Sequence, residues 1–114
     1  VSKTRRPWKG FVRYMIYNYP HLCREEEHTG KTADANLREL PEAKRRQLEA
    51  VRQAIDAVRA TKNGDAKLEV IDLYYWKKSH KLYGAALKVG VSAHTAIDWN
   101  TEFMDLVAKN YGLI

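Results

Sequence analysis

The residues best placed to do chemistry together are Ala93, His94, Ile97 and Asp98, which follow Ser92 on a predicted helix. Spacings of one, three and four put them on one face over two turns. Their side chains offer methyl and aliphatic contacts for thymine, an imidazole and a carboxylate, which are the groups needed to read base edges in a DNA major groove. Upstream, Lys77, Lys78, Lys81 and Lys88 precede the helix with no acid among them. Lysines so placed neutralise phosphates and fix register without reading sequence. Ser92 and Thr95 at the helix start, with Arg45 and Arg46 of a long upstream helix, complete the expected phosphate-binding set. The reading helix has no arginine, so it cannot make the bidentate guanine contact that is the commonest specific one. It is also acidic, since Asp98, Glu102 and Asp105 are offset only by Lys109. An acidic helix fits a protein partner as well.

Other chemistry is poorly provided for. His21, Cys23 and His28 lie close together, but no CxxC pair or second cluster completes a zinc site, so no metal or cofactor is expected. Glu25, Glu26 and Glu27 have no partner carboxylate and no nucleotide-binding glycine loop, and His80 and His94 have no nucleophile arranged for a triad. No enzymatic activity is expected. Trp8, Trp76 and Trp99 are better suited to anchoring a core than to stacking on single strands.

The elements that must position the reading face lie in 82–103, LYGAALKVGVSAHTAIDWNTEF. Ala85 and Ala86 allow close helix approach, Gly90 takes a positive φ to end the first helix, and Ser92 caps the second. That is the form of a helix-turn-helix, although an ordinary helical hairpin with a glycine stop has the same residues. Trp99 is expected to be buried against Ala86 and the central helix that carries Leu68 to Tyr75, followed at helical spacing by Phe103 and Leu106.

Three more helical stretches lie upstream. Residues 7–19 place Trp8, Phe11, Val12, Met15, Ile16 and Tyr19 on one face, and Pro20 is expected to interrupt that helix, with at most a short further helix over 20–27. Residues 28–40 read as a polar loop. The longest helix runs from Pro41 to about Lys62 with Leu48, Val51, Ile55 and Val58 three and four apart, a pattern better suited to packing within the domain than to a homodimer seam, and Asn63 and Gly64 end it. A third helix, with Asp65 as its expected cap, carries Leu68, Val70, Ile71, Leu73, Tyr74 and Tyr75 and should be the central one.

With 114 residues, one cysteine and no apolar run long enough to span a bilayer, the chain is expected to be a single all-α domain of four main helices in a reducing, cytoplasmic setting without membrane contact. Residues 1–40 form a basic arm (Lys3, Arg5, Arg6), an aromatic helix and a polar loop; residues 41–114 form the long helix and the helix-turn-helix. The net charge is +6, and its surplus lies before residue 65, since residues 65–114 hold six Lys/Arg against six Asp/Glu. Such a balance suits a polyanion but also occurs in proteins that bind none.

The combination LEVIDLYYW, a basic link, AALKVGVSAHTAIDW and a following glutamate resembles the C-terminal half of the RinA-like and ArpU-like phage transcription regulators, over roughly residues 66–108. Its most specific elements are the Tyr75-Trp76 pair and Ser92, Thr95, Ala96, Trp99 and Glu102. The resemblance implies a helix-turn-helix like region 4 of bacterial sigma factors, double-stranded DNA as partner and activation of late phage genes in a bacterial host cell; host RNA polymerase is a further candidate partner. The chain departs from the family where basic or aromatic residues are usual, at Ala93, His94, Ile97, Asp98 and Asn100. Two competing assignments remain: a small terminase (DNA-packaging) subunit, and a polymerase-binding module that reads no bases.

Overall fold

Apolar residues three and four apart, with glycines at two turns, give five helices among the described residues. These are α1 (Lys9–Gly30), α2 (Glu42–Arg59), α3 (Gly64–Ile71, prolonged by a π turn, Asp72–Trp76), α4 (Leu82–Val89) and α5 (Ala93–Tyr111). The structure, a computed structural model, describes residues 7–30 and 40–114, with only the backbone of 28–30. The basic arm Lys3, Arg5 and Arg6 and positions 31–39 of the expected loop lie outside the described residues. The all-α expectation holds, with five helices in place of four main ones because the 82–103 unit comprises two and its second continues to Tyr111. No strand occurs among the described residues, and no helix there is long and apolar enough to cross a membrane.

The largest departure from the sequence pattern is at Pro20, which does not interrupt α1: the helix continues to Gly30. Proline lacks the N–H that would bond the carbonyl four residues back, here Ile16, and Ile16 is fully buried. Trp76 supplies the missing donor, its indole Nε1 lying 2.7 Å from the Ile16 carbonyl oxygen. It reaches there from a π turn closed by a bond from Lys77 N–H to the Asp72 carbonyl. Beyond the proline, Leu22 is fully buried and ion pairs from Glu25 to Lys44 and from Glu26 to Arg52 hold α1 against α2. The Arg52 guanidinium keeps the Glu26 carboxyl below its usual range.

The main core joins α1, α2, α5 and the π turn through Val12, Met15, Val51, Ile71, Tyr75 and Phe103. Leu48, Val51, Ile55 and Val58 are all buried within this single chain, as packing inside the domain requires. Helix α3 with its π turn touches all four other helices and is central in that sense, but α5 does so too. Two details correct the sequence expectation. The residue before α3 is Asn63, in the left-handed region at φ 63°, and Asp65 sits in the first turn rather than at the cap. Gly64 is needed there because a Cβ would stand 2.5 Å from the Val58 carbonyl oxygen.

A smaller cluster of Val70, Leu73, Ala85, Ala86 and Ala96 attaches α4, with Leu82, Val89, Val91 and Trp99 packed around it. Trp99 thus packs on the cluster that contains Ala86 and residues of α3 but is only half-buried, not buried as expected. Ala96, Asn100, Phe103, Met104 and Val107 form the buried face of α5, rotated from the expected Trp99–Phe103–Leu106 line. Buried Asn100 is tolerated because its Oδ1 accepts a hydrogen bond from the Tyr75 hydroxyl.

Candidate nucleic-acid interface

The α4–α5 corner is built by its own sequence. Gly90 adopts φ +91°, and the N–H groups of Gly90 and Val91 both bond the Ala86 carbonyl at 2.9 Å, closing α4. Two residues later Ser92 Oγ accepts from the Thr95 N–H at 3.0 Å and donates to Thr95 Oγ1 at 2.9 Å.

Of the four expected base-reading residues, Ala93 is half-buried while His94, Ile97 and Asp98 are exposed, Ile97 by 49%. His94 Nε2 lies 3.4 Å from Asp98 Oδ2, one turn along the helix. Both Asp98 oxygens are acceptors, and they lie beside an imidazole whose ring nitrogens accept or donate according to the tautomer. The pair is therefore matched to base-edge donors, cytosine N4 and adenine N6.

Compared with known proteins, the chain matches no family model, no curated protein and no solved structure.

The expected phosphate ligands divide. Lys81, just before α4, and Lys88, in its last turn, are exposed and make no ion pair among the described residues. Lys77 lies 3.2 Å from Asp72, and Lys78, at φ 53°, sets its ammonium 5.3 Å from the centre of the Tyr17 ring. Arg45 and Arg46 are not brought to this face. Arg45 pairs with Glu42 at 2.7 Å, and Arg46 donates to the Tyr111 carbonyl at 3.0 Å and stacks over that ring. Tyr111 ends α5, roughly 27 Å of helix away from Ala93. Arg46 thus acts as a cation at a helix C-terminus, where the dipole favours it.

Beyond its second turn the outer face of α5 becomes acidic. Asp98, Glu102 and Asp105, with Lys109, Leu106 and Ile114, line an open groove of about 480 Å³. Glu102 is already paired, at 3.2 Å, with Lys67 of α3. Sequence reasoning missed this cross-link, the Trp76 and Tyr75 bonds, and the exposed pair Tyr83 and Leu87 on α4. Only the last had a signal, since those residues lie opposite the Leu82–Ala85–Ala86–Val89 stripe on a helical wheel.

Proposed function

We propose that this chain is a sequence-selective DNA-binding transcription regulator of the RinA-like and ArpU-like phage kind, acting in the cytoplasm of a bacterial host. The observation that carries the reading is the α4–α5 corner: a left-handed glycine, a serine-capped second helix, and His94, Ile97 and Asp98 turned outward from its first turns. With α5 in the major groove, Ala93 and Ile97 contact thymine methyls and the His94–Asp98 pair accepts from cytosine or adenine amino groups. Lys81, Lys88 and Thr95 hold phosphates.

Selection of bound sequences from random duplex DNA at near-physiological salt, with the mass of the free protein measured alongside, tests the reading. A shared motif of a few base pairs and a monomer or dimer mass support a regulator. A ring-sized mass moves the assignment to a small terminase subunit. The acidic groove favours a second reading, a polymerase-binding module without base readout, and binding to polymerase that persists in the absence of DNA and of any selected motif would establish that reading instead.

A further inference from the structure

The face of α4 turned away from the core carries Tyr83 and Leu87, one turn apart and 67% and 66% exposed, more than any other large apolar side chain among the described residues. They are not spare core residues, because α4 packs through the opposite face, Leu82, Ala85, Ala86 and Val89. Beside them Gly84 presents no side chain, and the His80 ring lies 3.4 Å from where a Cβ would stand, leaving a low, flat surface next to two anchors. Lys81 and Lys88, two turns apart, run along one edge of this surface, and residues 77–97 contain no acidic residue at all.

We infer that the outer face of α4 is a docking surface for an acidic amphipathic helix of a protein partner. Such a helix covers Tyr83 and Leu87 with apolar residues three and four apart and meets Lys81 and Lys88 with carboxylates. The surface chemistry favours this occupant over three others. A phosphate backbone uses the lysines but leaves Leu87 against solvent. A second copy brings the same lysine edge against itself. A bilayer surface calls for a longer apolar face than one eight-residue helix with two anchors supplies. The inference goes beyond the DNA reading and shares only Lys81 and Lys88 with it; the anchors Tyr83 and Leu87 belong to the docking surface alone.

The test titrates a synthetic amphipathic helical peptide, with leucine and phenylalanine on one face and glutamate on the other, into the isotopically labelled full chain and follows amide shifts. Saturable shifts confined to Tyr83, Gly84, Leu87, Lys88 and their neighbours are expected. The Tyr83→Ala/Leu87→Ala variant should weaken binding about tenfold, and Lys88→Glu about threefold. Both positions are exposed, so circular dichroism should show the double variant folded, and its DNA selection should be unchanged. A lysine-for-glutamate version of the peptide should not bind. The inference is overturned by shifts centred on α5, by equal binding of the charge-swapped peptide, or by no binding at about 1 mM peptide. It is also overturned if α4 shifts appear on concentrating the protein alone, or if phosphatidylglycerol vesicles bind in place of the peptide through the same two residues.

Discussion

Replacing Trp76 with phenylalanine isolates what carries α1 through its proline. The substitution keeps an aromatic ring beside Tyr19, whose centroid lies 5.6 Å away, but removes the donor 2.7 Å from the Ile16 carbonyl. A buried acceptor left without a partner costs about 1 to 3 kcal/mol. The smaller ring forfeits contact worth about 1 kcal/mol more. The sum, about 2 to 4 kcal/mol, is a large part of the 5 to 15 kcal/mol of a typical domain. Loss of packing alone could mimic part of this, so the decisive measurement is a double-mutant cycle with Pro20→Ala. Alanine at position 20 restores the helix's own N–H to Ile16, so Trp76→Phe in that background should cost only the contact loss. Urea unfolding followed by circular dichroism at a helical wavelength should then give a coupling of about 1 to 3 kcal/mol, the acceptor penalty alone. Two substitutions that add within about 0.5 kcal/mol would refute the idea that the indole replaces the missing proline donor.

Four further outcomes follow from the same structure. Gly90→Val should destabilise by about 1 kcal/mol or more, since a β-branched residue is strained at φ +91°, and a melting temperature at or above wild type would mean the corner is a continuous helix. Phe103→Ala should cost about 3 to 5 kcal/mol and half-buried Trp99→Ala clearly less; the reverse order in chemical denaturation would put the buried face of α5 back on the tryptophan line. Burial, then the neighbouring Tyr74, pushes the Tyr75 phenol well above its ordinary value of 10.0. The unfolded chain therefore releases that proton first, and stability should be unaffected by this group below about pH 10 and fall as pH rises above it. Tyr75→Phe should flatten that alkaline loss, yet cost about 1 to 3 kcal/mol at neutral pH by leaving Asn100 short of a partner, and an unchanged alkaline slope would count against the assignment. On DNA, Lys88→Ala should weaken all sequences alike and lower the salt slope by about one ion, whereas Asp98→Ala should tighten non-specific binding and relax the motif; identical effects from the two would dismiss the groove geometry.

The α4–α5 corner was fully legible in the sequence because it is local. A glycine that ends one helix and a serine that caps the next act within four residues, so the positive φ of Gly90 and the Ser92–Thr95 bond needed no knowledge of the rest of the chain. The core faces of α1 and α2 were legible for a similar reason: a regular run of apolar residues makes sense only with one side buried. Tertiary structure decided what depended on partners distant in sequence. Pro20 reads as a stop by every local rule, and only a tryptophan 56 positions later, brought over by a π turn, makes the carbonyl it orphans satisfied. Asn100 reads as a surface residue until Tyr75 is seen facing it, and Arg46 reads as a free cation until the end of α5 arrives beneath it. Helix starts, stops and faces are fixed by energies within one or two turns, whereas the fate of a single polar group depends on which distant atom folding brings to within 3 Å.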